Sequence, residues 1–226
     1  MKIKGLQKLS LIDFSPFSSC VIFLCGCNFR CGFCHNPEIV EGKGKDISED
    51  ELFKFLAERK KWLDGVCITG GEPCINEELI EFIKKIKDMG YKVKVDTNGT
   101  NPLMVEKLVK TADYIAMDIK TSPGRYDKAT GVEADIVSIK KSAKIIMESE
   151  IDYEFRITVV PGILDKEDIV EIGKWLKGAK NLFIQQFSNK ICLDKSFEKV
   201  KPYSLEELDE LKRTAEPYFG KVEIRS

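Results

Sequence analysis

The sequence holds one histidine and two tryptophans, and it has no surplus of either charge. Against 36 Lys and Arg stand 37 Asp and Glu, a formal net charge of −1 over 226 residues. A chain this close to neutrality has no basic arm for nonspecific nucleic-acid binding and no cationic face for a membrane surface. Long apolar runs are also missing. The longest near the start, Val21-Ile22-Phe23-Leu24-Cys25, falls far short of the roughly 20 residues that span a bilayer. Met1-Lys2-Ile3-Lys4 leads into polar residues rather than into the apolar region of a secretory signal. No Gly/Ser linker, low-complexity tract or internal repeat interrupts the chain. Its 43% hydrophobic and 32% charged residues exclude collagen and disorder. These absences predict one cytoplasmic domain over residues 1–226, with no membrane and no nucleic acid among its partners.

Cysteine is what the chain has in plenty, with eight residues. In a reducing compartment eight cysteines point to metal binding or thiol chemistry rather than to a disulfide framework.

Short apolar runs alternate with amphipathic segments along the chain. Strands are predicted over 20–24, 65–69, 92–96, 114–120, 152–160 and 181–186, most of them rich in Val and Ile, as parallel strands covered on both faces require. Helices are predicted over 48–61, 76–89, 102–111, 136–149, 166–176 and 204–218. Ser48 with Glu51, and Ser204 with Glu207, have capping-box spacing, and Gly90 is a stop signal after Met89. Leu79, Ile80, Phe82, Ile83 and Ile86 make one helical stripe that must face a sheet. Six strand–helix units are two short of an eightfold barrel. The predicted fold is therefore α/β, a partial (β/α)6 TIM-like barrel, with a doubly wound sheet as the other arrangement that fits. In either, chemistry belongs at the C-terminal ends of the strands.

Just after the first predicted strand, Cys27, Cys31 and Cys34 stand at C-x3-C-x2-C spacing on a loop carrying Gly26 and Gly32. Soft thiolates on such a loop can wrap an iron–sulfur cluster, and three of them leave one iron of a four-iron cluster open to another ligand. The same cysteines could hold structural zinc, with Cys25 or His35 as the fourth ligand. His35 is otherwise read as ordering its loop before Pro37, and Cys20, Cys67 and Cys192 as inert core thiols. Cys74 follows Gly70-Gly71-Glu72-Pro73, a turn whose glycines let backbone approach a ligand and whose carboxylate can accept from an ammonium group. The third strand ends in Asp96-Thr97-Asn98-Gly99 and the fourth in Asp118-Ile119-Lys120. Arg156, inside an apolar strand, must be paired. Gln186 closes the sixth strand and is a candidate hydrogen-bonding partner of cofactor or substrate.

The cysteine spacing, with Phe33 before the last cysteine, resembles the signature of the radical S-adenosylmethionine superfamily. The longer string from Gly26 through Cys31 to Cys34-His35-Asn36-Pro37 resembles the glycyl-radical-enzyme activases. Among these are the pyruvate formate-lyase activating enzyme and the anaerobic ribonucleotide reductase activating proteins, the latter also resembled by the opening from Gly5 to Asp13. The resemblance implies one 4Fe-4S cluster on Cys27, Cys31 and Cys34, and S-adenosylmethionine chelated to the fourth iron. It further implies Phe33 near the adenine and Gly70, Gly71 and Glu72 at the methionyl amine. Asp96, Thr97 and Asp118 would border a monovalent cation, with Asn98 in the same turn. Arg156, Asp118 and Lys120 would act beside the cofactor. The expected product is a 5′-deoxyadenosyl radical that takes hydrogen from a glycine of a partner enzyme under anaerobic conditions, with a flavodoxin or ferredoxin as electron donor. Gln185-Gln186-Phe187-Ser188 stands where the formate-lyase activases have a histidine, which favours the ribonucleotide-reductase branch. Two alternatives stay open: a radical enzyme acting on a small 7-deazaguanine precursor, and a non-catalytic zinc or electron-carrier protein.

Overall fold

The computed structural model describes residues 1–225. Eight strands, β1 (Ile3–Ser10), β2 (Ser19–Leu24), β3 (Gly65–Gly70), β4 (Lys92–Thr97), β5 (Tyr114–Asp118), β6 (Asp152–Val159), β7 (Asn181–Gln186) and β8 (Lys221–Arg225), make one sheet in sequence order. β1 runs antiparallel to β2, and every later pairing is parallel. The order ends at β8 without returning to β1, so the sheet is an open barrel. The six predicted strands correspond to β2–β7, which makes the cysteine loop the connection after the first parallel strand. β1 and β8 extend the sheet beyond the predicted six. Both are edge strands whose residues are largely half-buried or exposed, which removes the apolar signal on which the sequence reading relied.

The helices are α1 (Pro37–Val40), α2 (Glu49–Arg59), α3 (Leu79–Asp88), α4 (Pro102–Leu108), α5 (Tyr126–Thr130), α6 (Ile136–Glu148), α7 (Lys166–Trp175) and α8 (Leu205–Ala215). Both predicted capping boxes form, at Ser48 with Glu51 and at Ser204 with Glu207. A third, unforeseen one starts α7, where Asp165 and Asp168 cap each other reciprocally. α3 begins at Leu79 rather than 76 because Pro73–Ile75 takes a separate 3-10 turn. Of the predicted stripe, Leu79, Phe82, Ile83 and Ile86 are buried, each contributing about 1.5–3 kcal/mol, and Ile80 is half-buried against the same core.

Strand pleating sorts the residues by parity. On β4, β5 and β6 one parity, Val93, Val95, Ile115, Met117, Phe155 and Ile157, is apolar and buried. The other parity is polar apart from Ala116. Registers align Lys94 with Tyr114, Asp96 with Ala116, Ala116 with Glu154, and Asp118 with Arg156 across neighbouring strands. Near the base of this inner face Glu154 accepts two hydrogen bonds from Arg225, at 2.8 and 2.8 Å, and one from Lys94 at 3.2 Å. The interior of the barrel is thus a stack of paired charges, and the functional groups are its upper layer.

Candidate active site

A cleft of about 240 Å³ opens at the C-terminal ends of the strands. Cys27, Cys31 and Cys34 border it, as do Phe33, Gly70, Gly71, Glu72, Asp96, Thr97, Asn98, Asp118, Lys120 and Arg156. All the predicted site residues except Gln186 are therefore gathered in one place.

The cysteine loop is held from several sides by short contacts. Glu72 N donates to Gly26 O at 2.8 Å, and Arg30 N to Thr130 O at 2.7 Å. Asn98 Nδ2 donates to Asn28 Oδ1 at 2.9 Å, and Asn28 Nδ2 to Thr100 Oγ1 at 2.8 Å. From the connection after β7, Leu193 N reaches Cys34 O at 3.1 Å and Asp194 N reaches Gly32 O at 2.9 Å. Gly70 sits at φ +126°, where a side chain would be strained, and a Cβ on it would meet Leu24 N at 2.3 Å.

Glu72 is 1% exposed and fully engaged by the protein. Its Oε1 accepts from Cys74 N at 2.9 Å and from Thr97 Oγ1 at 2.7 Å, and its Oε2 accepts from Asn98 N at 2.6 Å. Burial raises its pKa, opposed by these hydrogen bonds. Its evident role is to lock the glycine turn onto the turn after β4.

Deeper in the cleft, Arg156 forks between two carboxylates, with Nε to Asp118 Oδ1 at 2.8 Å and an Nη to Asp96 Oδ2 at 2.9 Å. This supplies the pairing that a buried guanidinium demands. Lys120 Nζ sits 3.1 Å from the other Asp118 oxygen. For Asp118 burial acts upward, but the Arg156 and Lys120 cations outweigh it and hold the carboxyl well below its usual range. Lys120 is held above its usual range: burial opposes its charge, and Asp118 outweighs burial. Asp96 Oδ1 is buried without a hydrogen-bond partner.

Burial lifts the Cys31 thiol to about 11 and raises Cys27, while the Lys120 cation pulls both down. Loading a metal onto them must displace protons. Among the described residues no three His, Cys, Asp or Glu converge on a point that would hold a single metal ion. Cys25 is not part of the cleft lining, whereas His35 is, with its Nδ1 3.2 Å from Ile191 O and its ring stacked on Phe187.

Gln186 lies elsewhere. Its Nε2 donates to Tyr203 O at 2.6 Å, and it is Gln185 that borders the cleft. Parity accounts for the difference, because Gln185 pairs with Thr158, two residues after Arg156. Thr69, Thr158 and Gln185 also border the cleft and were missed. The period of two counted outward from Asp96 and Arg156 was the signal that could have found Thr158 and Gln185.

A parallel α/β sheet that carries a three-thiol loop and a glycine turn over a polar cleft defines the class, and residues 21–176 match the radical SAM superfamily. The chain belongs to that superfamily, which implies a 4Fe-4S cluster and S-adenosylmethionine. It is 36% identical over 234 positions to a protein of Methanocaldococcus jannaschii provisionally named a glycyl-radical enzyme activating enzyme, covering 99% of this chain and 95% of that one. It is 29% identical to the pyruvate formate-lyase-activating enzyme of Clostridium pasteurianum, over 80% of this chain and 78% of the relative. It is 31% identical to the 7-carboxy-7-deazaguanine synthase of Aquifex aeolicus, over 79% and 73%. In fold alone, SuiB of Streptococcus suis is similar with a TM-score of 0.70 at 17% identity, over 91% of this chain and 48% of that one.

The residues present fit the implied groups. Three thiols border one cleft, the glycine turn leaves no room for a Cβ, and the buried Asp96 Oδ1 has no hydrogen-bond partner, with Lys94 Nζ 3.8 Å away. No helix among the described residues is long and apolar enough to cross a membrane.

Proposed function

We propose that this chain is a glycyl-radical-enzyme activase, with an anaerobic ribonucleotide reductase-like protein as its substrate. The observation that carries the activase reading is the near end-to-end similarity to the M. jannaschii protein provisionally named an activating enzyme. The ribonucleotide reductase-like partner rests on Gln185-Gln186-Phe187-Ser188 standing where the formate-lyase activases have a histidine. Cys27, Cys31 and Cys34 would hold the cluster and leave one iron for the amino and carboxylate groups of S-adenosylmethionine. Together, when bound and given one electron, these groups supply a 5′-deoxyadenosyl radical.

The protein's own work is placement. The Gly70–Gly71 backbone lets the methionyl end approach closely, and Glu72 holds that turn in position. Arg156 and Lys120 supply cationic hydrogen-bond donors beside the cleft, and Asp118 fixes the orientation of both. Asp96 Oδ1, Thr97 and Asp118 are the oxygens that could receive a monovalent cation. Phe33, 5% exposed, offers an apolar face for an adenine. Thr158 and Gln185 line the route by which a glycine-bearing loop could enter.

The similarity to 7-carboxy-7-deazaguanine synthases supports a second reading, a small 7-deazaguanine precursor as substrate. Against it, Gln7-Lys8-Leu9-Ser10 replaces the glycine-glutamate-glycine element usual in those enzymes. These residues run in the edge strand β1.

The test is 5′-deoxyadenosine formation by anaerobically reconstituted, reduced protein, followed by electron paramagnetic resonance of candidate glycyl-radical enzymes. Nucleoside lost in Cys31→Ala, together with a glycine-centred signal on a partner, is the expected result. Nucleoside turnover only with a deazaguanine precursor would replace the activase reading. Stoichiometric zinc and no cluster would end the enzyme reading altogether.

A further inference from the structure

The connection between β7 and α8 lies directly on the cysteine loop. Besides the two backbone hydrogen bonds to Gly32 and Cys34, it brings Phe197 to 6.0 Å from the Phe33 ring. A Cβ on residue 32 would sit 2.5 Å from the Phe197 ring. A single 3-10 turn, Lys195–Lys199, shapes this cover, with Asp194 capping it through Ser196 N at 2.8 Å.

Its solvent side is basic. Lys190, Lys195, Lys199 and Lys201 are all exposed, and among the described residues none of the four makes a salt bridge or side-chain hydrogen bond. Residues 188–201 carry those four lysines against two acids, Asp194 and Glu198, in a chain whose net charge is −1. Next to Lys190, Ile191 is 58% exposed. A basic excess of two charges beside an exposed apolar side chain suits a small, short-lived redox interface, in which charge steers encounter rather than supplying tight affinity.

We propose that residues 188–201 form the docking surface for a small acidic electron-carrier protein, a proposal that rests on the cofactor reading above. The carrier, a reduced flavoprotein or low-potential iron–sulfur protein, gives up one electron. The cluster on Cys27, Cys31 and Cys34 gains it, and no atom is transferred. Electron transfer weakens steeply with distance, and here one hydrogen bond, Leu193 N to Cys34 O at 3.1 Å, separates the surface from a cluster-ligand residue. The lysines are opposite in charge to an acidic partner, which speeds association at low salt.

The experiment titrates reconstituted protein with an oxidised acidic flavodoxin by calorimetry at low ionic strength. It compares Lys195→Glu/Lys199→Glu with Lys140→Glu/Lys177→Glu, which makes the same charge change on α6 and after α7. The first pair is expected to weaken binding by about 10-fold or more, with the effect vanishing at high salt, and the second by no more than about 2-fold. Cleavage of S-adenosylmethionine should fall in parallel when reduced flavodoxin is the donor and stay unchanged with dithionite. Equal binding by both pairs overturns the proposal. So does equal loss with both reductants, or displacement of the flavodoxin by single-stranded nucleic acid. If wild type fails to cleave S-adenosylmethionine even with dithionite, the radical reading falls, while calorimetry still decides the surface.

Discussion

Gly71 and the carbonyl of Gly26 are so close that a Cβ on residue 71 would lie 1.8 Å from that oxygen. The glycine turn after β3 and the loop after β2 are therefore fitted to each other at the backbone. Gly71→Ala should push them apart, with an overpacking cost of about 1–3 kcal/mol. For a chain of this size that lowers Tm by about 2–12 °C. Anaerobic thermal melts should show the drop, and isothermal titration should show weakened S-adenosylmethionine binding. A variant with unchanged melting and binding would mean the two loops move independently.

A second pair of neighbours, Gly32 and Phe197, allows a complementary test. Gly32→Ala drives a methyl into the Phe197 ring and should loosen the cover, so that a chelator strips iron from reconstituted protein faster. Phe197→Ala added to Gly32→Ala makes room for the methyl and should recover part of the iron retention. If the double variant loses iron faster than either single one, the contact is not what keeps the cover in place.

Glu154 should govern acid stability. Burial acts to raise its pKa, but the Arg225 hydrogen bonds and the Lys94 and Arg156 cations outweigh it, bringing the carboxyl down from 4.5 to about 2. Its stabilisation is complete above the ordinary value and fades as pH falls through the range from 4.5 towards about 2. Glu154→Gln leaves Lys94 and Arg225 without their anion. The expected cost is about 3 kcal/mol at neutral pH, the lower end for a broken buried pair because Arg225 is partly exposed. Urea melts across pH should also show a flatter acid limb in the variant.

Gln185 and Gln186 should separate cleanly. Gln185→Ala alters the cleft and should change the S-adenosylmethionine Kd or the substrate KM with little effect on Tm. Gln186→Ala removes the hydrogen bond to Tyr203 and should cost about 1 kcal/mol of stability with binding unchanged. The opposite pattern would reverse the facing of β7.

Cys25 and Cys192 lie near the cluster loop but outside the C-x3-C-x2-C set. Iron content after reconstitution should survive Cys25→Ala and Cys192→Ala and collapse in Cys27→Ala, Cys31→Ala or Cys34→Ala. Loss of iron in Cys25→Ala would make Cys25 a fourth ligand and overturn the three-cysteine set.

Much of this site was legible because its chemistry comes from local strings. C-x3-C-x2-C, G-G-E-P, D-T-N-G and D-I-K each follow a strand rich in Val or Ile, and parallel topology then brings all four strand ends to one face. The interior was harder to read. Lys94, Glu154 and Arg225 are charged residues in strands, and each looks out of place until its partners on other strands are known. Glu72 looked like a ligand for an ammonium group because its three protein donors come partly from a turn 25 residues later in the chain. The cover at 188–201 has no sequence signature at all. It is polar and irregular, and it gains meaning only from resting on Gly32 and Cys34.

Sequence order in the sheet also has a consequence in time. Each strand pairs with the strand made just before it, so a chain emerging from the ribosome can assemble progressively from its N-terminus. The cysteines at 27–34 then emerge well before residues 188–201 have been made. Throughout that interval the backbone donors of Leu193 and Asp194, which hold the carbonyls of Cys34 and Gly32 in the finished fold, do not yet exist.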